Sequence, residues 1–344
     1  MARVLVIRLS ALGDVAMTIP VVYSVARRYP DDEFVLVTKK SFQNIFINTP
    51  PNLTVVPFEK GVIAGRRSRA CPELDSGTRN PLTAVADLHS VLRSWKIDFQ
   101  CLLKGKKVAV INKGKCAKRK LTRPKNKQFK QLETSIARYQ QVFEKLGYDA
   151  TVDFKSLIPE KGRDRHATDK ETWVGIAPFA KHAGKIYPLD QMEQVVSQLT
   201  NHPNIKLFLF GGKEDASLLD AWTKKYAHVE SVAGRLSFPD ELALMNDLDV
   251  MVSMDSANMH LASLVNTPVV SIWGATHPYS GFYGFNQDSK NAIQVELPCR
   301  PCSVFGNKPC LRGDYACLTQ ITPAMIINVI ADLIRNPLLK NPKS

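Results

Sequence analysis

Apolar and polar positions alternate along this chain in a repeating scheme. Short apolar runs of strand length are each followed by a turn and then by apolar residues returning every three or four positions. The runs at Arg3–Arg8, Phe34–Thr38, Val55–Phe58, Thr83–Leu88 and Val108–Ile111 are predicted strands. Helical spacing is predicted from the Gly13 turn to about Arg28, over Val91–Phe99 and over Leu132–Leu146, where Gly147 supplies a stop. The polar stretch 159–172 interrupts the scheme and is predicted to be a linker. Beyond it come strands Trp173–Ala177, Ile205–Phe210, Val250–Ser253 and Val269–Trp273, and helices at 189–200, 214–227, 239–246 and 256–265. Pro323–Ile334 closes the pattern as a last helix.

Strands alternating with helices imply α/β layering, with parallel sheets covered on both faces. The expected organisation is a Rossmann-like domain over 1–158, the linker 159–172, a second Rossmann-like domain over 173–322, and a closing helix and tail over 323–344. A length of 344 residues suits two such domains.

Composition narrows the class. Hydrophobic residues make up 44% and charged residues 23%, the balance of an ordinary globular protein. The apolar N-terminus carries Arg8 and Asp14 inside its run, which argues for a first strand rather than a signal peptide. No run reaches the 18 apolar residues of a membrane span. A cytoplasmic protein is expected, with its seven cysteines as thiols, metal ligands or core residues. The net charge of +14 is concentrated: residues 104–130 hold 12 Lys or Arg among 27 positions and no acid. That segment reads either as a solvated, partly mobile basic loop or as a surface for anionic partners. No nucleic-acid-binding signature accompanies it.

Ligands of open α/β sheets bind beyond the carboxyl ends of the strands, and four such ends carry informative residues. After the first strand, Gly13 brings backbone close and Asp14 stands where a helix begins. A helix start favours negative charge by ~0.3–1 kcal/mol. Asp14 is therefore either a general base or a helix cap. After Trp173–Ala177 come small residues and then Lys185, either a phosphate cation or a solvated lysine. Gly211 and Gly212 form the third of these ends, after Ile205–Phe210, as a nucleotide loop or simply a tight turn. The fourth end is the most informative. Asp255, Ser256, Ala257 and His260 open a helix after a buried strand, where free N–H groups make an anion site. His260 falls on the same face as Ser256. A capped helix with a core histidine would share this pattern.

These motifs, in this order, resemble the heptosyltransferase family (glycosyltransferase family 9). The pieces are SALGDVAMTIP at the N-terminus, DLHSVLRS at 87–94, Lys185-x-Tyr187-Pro188, and MDSANMHLASLVNTPVVSIWGATHP at 254–278. The resemblance implies a GT-B architecture: an acceptor domain, then a nucleotide-sugar donor domain, with parallel sheets facing across a cleft. It implies inverting, metal-independent transfer, with no cofactor required. ADP-heptose is the implied donor, and the acceptor is the lipopolysaccharide inner core or a related acidic glycolipid at the inner face of the cytoplasmic membrane. Carried over by position, Asp14 matches the catalytic base and Lys185 a donor-phosphate lysine. Asp255, Ser256, Ala257 and His260 match the donor loop. Ala257 replaces the family's usual Gly, and Ile186-Tyr187 replaces a basic-Trp pair.

On the acceptor side, Gly13, His89 and Arg93 are expected at the cleft. Arg66, Arg67 and Arg69 are expected on a loop able to grip acidic sugars or phosphates. The 104–130 cations would then meet an anionic leaflet, and nucleic acid is not an expected partner. Asp247-Leu248-Asp249 spells a D-x-D metal motif but directly precedes a buried strand, so strand-start residues are expected there. Cys299, Cys302, Cys310 and Cys317 read as free or core thiols, as a structural zinc site, or as disulfides. A sugar-nucleotide epimerase on the same fold and a non-catalytic basic surface binder are the competing functional readings.

Overall fold

The computed structural model describes residues 1–58, 81–159 and 171–335. Arg66, Arg67, Arg69, Cys71, most of the expected linker and the tail beyond 335 lie outside the described residues. The chain forms two compact units, Met1–Lys115 with Glu133–Lys155, and Cys116–Leu132 with Ser156–Ser344.

The first unit holds a sheet of five parallel strands: β1 (Arg3–Ile7), β2 (Glu33–Thr38), β3 (Leu53–Pro57), β4 (Ala84–Asp87) and β5 (Lys107–Val110), in the order β3-β2-β1-β4-β5. Every residue of β1 is buried, as a central strand covered on both faces requires. The strand order reverses at β1 and β4, which pair directly from Val4–Ala84 to Ile7–Asp87. A crevice-forming switch point therefore falls at their carboxyl ends.

The second unit holds six parallel strands: β6 (Thr172–Ala177), β7 (Ile205–Leu209), β8 (Val229–Ser231), β9 (Val250–Met254), β10 (Val269–Ile272) and β11 (Ala292–Ile293), in the order β11-β10-β9-β6-β7-β8. Its switch point lies between β6 and β9, paired from Val174–Val250 to Ala177–Ser253. Asp249 ties this pair at its start. Its carboxylate accepts from the Trp173 N–H at 2.8 Å, and its own N–H donates to the Trp173 carbonyl at 2.9 Å. The D-x-D sequence thus contributes a strand clamp.

Local chemistry sets the helix ends. The helix Ser135–Leu146 starts three residues later than the periodicity implied, because the Thr134 side chain accepts from Ala137 N–H. Such a cap contributes roughly 0.5–2 kcal/mol. The helix ends on Gly147, whose φ of 96° lies in the left-handed region that favours glycine. The chain then leaves the first unit along the helix Ile19–Arg28: the Asp153 and Phe154 N–H groups both donate to Ser24 Oγ, and the Phe154 ring packs edge-on to Tyr23.

The basic 104–130 segment is not a solvated loop throughout. Lys115–Thr122 is helical, and residues 116–132 join the second unit. Lys118 Nζ lies 4.1 Å from the Phe282 ring centroid, within cation–π range. Lys127 Nζ donates to the carbonyls of Pro298, Cys299 and Arg300 at 3.2, 2.8 and 2.7 Å. Phe129 packs on His277 and Tyr279, and the Leu132 N–H donates to the Tyr279 carbonyl. Several of these cations and their neighbours thus have intramolecular work.

Candidate functional site

In the first unit, the residues after β1 and β4 form one polar cluster. Asp14 sits in the short helix Leu12–Ala16, where its Oδ2 accepts from the Ala11 N–H at 3.3 Å. The same oxygen lies 2.5 Å from Arg8 Nη2. Arg8 is buried. Its other terminal nitrogen donates to the Leu88 carbonyl at 2.7 Å, and its guanidinium lies 5.8 Å from the Tyr139 ring centroid. Tyr139 in turn donates its hydroxyl to the Asp14 carbonyl. Asp14 is therefore both a helix-start residue and half of an ion pair that is anchored to the end of β4.

His89 lies in the same cluster. Its Nδ1 accepts from the Leu9 N–H at 3.4 Å, which leaves the ring proton on Nε2, 3.5 Å from Ser10 Oγ. Burial, and then the charges of Arg8 and Lys113, push its pKa down to about 4, so the ring is neutral at neutral pH. Asp87 holds the turn beneath it by accepting from the His89 and Ser90 N–H groups and from Ser94 Oγ. Lys113 donates to the Ser90 carbonyl, and burial and the neighbouring Arg8 lower its pKa. Gly13 is half-buried within the Leu12–Ala16 helix, and Arg93 is exposed one turn beyond His89.

In the second unit, the sequence-predicted donor residues converge. Lys185 Nζ lies 2.8 Å from Asp255 Oδ2 and donates to the Asp255 carbonyl at 3.0 Å. Lys185 comes from the loop after β6 and Asp255 from the end of β9, so this ion pair joins the two strands of the switch point. The helix Ala257–Leu264 follows, with Ser256 as its N-cap in extended conformation. Ser256 makes no side-chain bond to the helix N–H groups; its hydroxyl faces Ser253 Oγ at 3.2 Å. The helix start therefore keeps its N–H groups for an external acceptor. Ser256 and Ala257 are half-buried, and His260 is buried one turn on.

The Lys185 stem is held from the other side. A Cβ at Gly306 would stand 2.6 Å from Lys185 Cγ, and Gly306 has a φ of +73°. Glycine at 306 thus serves both a close approach and a left-handed turn. The loop that carries it is fixed by Arg300, whose buried guanidinium donates to the carbonyls of Gly274, Val295, Trp273 and Thr276 and to Gln294 Oε1.

Other expectations meet different outcomes. Tyr187, in the segment that replaces the basic-Trp pair, is fully buried, with its hydroxyl donating to Gln191 and the Ile321 carbonyl, so it is a core residue. The Gly212 N–H is taken by Asp215 Oδ2 at 2.8 Å, and a side chain at Gly211 would meet the same aspartate, which makes the pair a tight strand–helix turn. The cysteines 299, 302, 310 and 317 are free thiols. Among the described residues, no three His, Cys, Asp or Glu side chains form a group able to hold a metal. The structural-zinc expectation therefore has no ligand set here.

Sequence reasoning missed Arg8 and Lys113 as members of the first cluster and Arg300 as the anchor of the second. Arg8 had a legible signal, a cation closing an otherwise apolar central strand at a switch point. Arg300 had none, since its five acceptors lie on segments that only the fold brings together.

Comparison with known proteins identifies the fold and the family. Lipopolysaccharide heptosyltransferase 3 of Escherichia coli is 29% identical over 115 residues, 32% of this chain and 34% of that protein. The chain thus matches about a third of the length of that curated relative. Among solved structures, E. coli ADP-heptose lipopolysaccharide heptosyltransferase II superposes with a TM-score of 0.69 at 17% identity, covering 97% of this chain and 98% of the other. The glycosyltransferase family 9 structure from Veillonella parvula DSM 2008 gives 0.72 at 18% identity, covering 97% of each chain. At these identities the likeness establishes the fold, the GT-B architecture of two Rossmann-like units. A model of glycosyltransferase family 9 (heptosyltransferase) matches residues 85–310, more than half of the chain, and the chain belongs to that family of glycosyltransferases.

Proposed function

We propose that this protein is an inverting heptosyltransferase that takes heptose from ADP-heptose and gives it to an anionic, lipid-linked sugar of the lipopolysaccharide inner core. In this reading the donor diphosphate lies on the N–H groups at the start of the helix Ala257–Leu264. Lys185 is held against Asp255, and His260 lies one turn into the helix. As the bond from the anomeric carbon to the diphosphate breaks, negative charge grows on the leaving oxygen. The helix start, Lys185 and His260 stabilise it. Asp14 takes the proton from the acceptor hydroxyl, whose oxygen attacks the face of the carbon opposite the leaving group. Asp255 acts as a positioning residue, since its carboxylate is buried against Lys185. Gly13, His89 and Arg93 stand on the acceptor side, and Arg66 and Arg67 are proposed to serve there from outside the described residues. Gly211 and Gly212 would border the nucleotide only through backbone. No metal or cofactor is required in this reading. The protein would work in the cytoplasm at the inner face of the membrane; no described helix is long and apolar enough to cross it.

The observation that carries the proposal is the Lys185–Asp255 ion pair set beside an uncapped helix start at the switch point of the second sheet. A screen of nucleotide sugars by thermal shift tests it, because a ligand that binds only the folded state raises the melting temperature. ADP-heptose should stabilise the protein more than UDP- or GDP-sugars do. Nucleotide release should then depend on added acceptor. Stabilisation by none of these donors would sink the reading, and epimerised sugar formed without acceptor would replace it with the epimerase.

A further inference from the structure

The helix Leu92–Leu103 carries most of its apolar surface on the side turned away from its own sheet. Its buried residues are Ser94, Asp98 and Cys101, and the half-buried Ile97 packs with Cys101 on the sheet core. Its outward face carries Leu92, Trp95, Phe99, Leu102 and Leu103, which are 73%, 48%, 62%, 55% and 73% exposed. At 100° per residue these five fall within an arc of about 100°, a continuous apolar stripe along three turns. They are five of the ten large hydrophobic side chains exposed among the described residues. Leaving such a stripe in water is unfavourable, and contiguous apolar patches mark contact surfaces.

The charges around the stripe say what it contacts. Arg93, Lys96, Lys104 and Lys107 are exposed and Lys106 is partly so. Across 92–107 the only acid is Asp98, which is buried beneath the helix. The outward surface is thus apolar, and the exposed charges of 92–107 that border it are all cationic. Trp95 sits at the stripe's edge with its indole N–H donating to Ser90 Oγ at 3.2 Å. An apolar ring with a polar end suits the boundary between acyl chains and headgroups.

We propose that this face is a bilayer-docking surface, with Leu92, Trp95, Phe99, Leu102 and Leu103 entering the headgroup–acyl boundary of an anionic membrane while the flanking lysines and arginine meet its phosphates. A helix lying in the interface plane has this composition, and neither the apolar nor the electrostatic contribution suffices alone for firm attachment. The inference rests on the proposed lipid-linked acceptor only for its choice of a membrane as occupant. It divides the 104–130 cations: Lys118 and Lys127 are engaged within the second unit, and Lys104, Lys106 and Lys107 border the stripe in the first unit.

The test uses the full chain with sucrose-loaded vesicles of phosphatidylcholine alone or mixed equally with phosphatidylglycerol. Wild-type protein should sediment with the anionic vesicles and weakly with the zwitterionic ones, and brominated lipid should quench Trp95 fluorescence. Phe99→Asp with Leu103→Asp should lower partitioning by at least about tenfold. The melting temperature and donor binding should stay unchanged, since both side chains are exposed. Lys96→Glu with Lys104→Glu should weaken binding to the anionic vesicles alone. Wild-type protein left in the supernatant overturns the proposal, as does an aspartate variant that sediments like wild type. A wild-type dimer that ignores vesicles and is made monomeric by the aspartates also overturns it, in favour of a second copy as occupant. Donor binding by calorimetry is read separately, so loss of vesicle binding with donor binding intact leaves the transferase reading standing.

Discussion

The Arg8 guanidinium stands 2.5 Å from the Asp14 carboxylate and is itself tied to the Leu88 carbonyl. An arginine at the end of β1 thereby fixes a carboxylate on the next helix relative to the end of β4. If Asp14 is the base, Asp14→Asn keeps the shape and loses the proton acceptor. Turnover should fall by roughly 10²–10⁴-fold, with donor affinity little changed. Arg8→Met should also lower turnover at unchanged donor affinity, because Asp14 loses its anchor. Steady-state kinetics with calorimetry check both, and near-wild-type turnover in Asp14→Asn removes the residue from that role.

The Lys185–Asp255 pair predicts an asymmetric mutant cycle. Lys185→Met leaves a buried carboxylate without its cation, a loss of about 3–5 kcal/mol for a buried pair. Asp255→Asn should cost less, because Lys185 keeps the Asp255 main-chain carbonyl as acceptor. The double variant should recover stability relative to Lys185→Met but should not recover affinity for a nucleoside diphosphate. Denaturant titration and calorimetry of all four proteins separate the two effects. Additive stabilities would show that the pair is not coupled.

Gly306→Ala should weaken donor binding by displacing the Lys185 stem, with a smaller loss of stability from the left-handed backbone. Lys185 itself is untouched by this change, so reduced affinity reports its position. Unchanged affinity would mean that the 299–310 loop does not set where the ammonium sits.

Buried acids give a pH signature. Burial, together with the adjacent Asp87 carboxylate, pushes the Asp98 pKa up to about 8 from its ordinary 3.8. The folded state therefore holds a proton that the unfolded chain releases above about pH 4. The group costs nothing below that pH, and stability is lost as pH rises towards 8. Asp98→Asn removes the cost, so its melting temperature should gain on wild type progressively between pH 4 and 8. A difference independent of pH would show that Asp98 is not protonated in the fold. His89 works in the opposite direction: its pKa is lowered to about 4, so its contribution is lost as pH falls from 6.5 towards 4. The variant comparison isolates the acid because His89 is common to both proteins.

Removal of metal should leave the melting temperature unchanged, since cysteines 299, 302, 310 and 317 form no ligand group in the described structure. Stoichiometric zinc or iron in the purified protein, released by chelator with loss of stability, would overturn this.

Much of the fold was legible because central parallel strands must be continuously apolar, and Val250–Met254 or Arg3–Ile7 announce themselves that way. The three-residue β8 escaped because one apolar residue carries no period. The helix Lys115–Thr122 escaped because five of its eight residues are polar and only Leu121 is a large apolar anchor. The helix start after β9 was readable from its residue pattern, yet the partner of Lys185 was not, since residues 185 and 255 meet only when β6 pairs with β9. The stripe on Leu92–Leu103 was invisible for a related reason. Periodicity shows that a helix has an apolar side, but it does not show which side turns inward.

Residues 116–132 belong to the second unit although both neighbouring stretches of chain belong to the first, so the polypeptide passes from one unit to the other three times. A gene cut near residue 156 would therefore produce no self-sufficient halves. The downstream fragment would lack Lys127 over its three carbonyls and Phe129 beside His277 and Tyr279, while the upstream fragment would carry those side chains with nothing to receive them. Chimeras made by exchanging halves between relatives must carry residues 116–132 with the downstream half, or rebuild the surface that receives them.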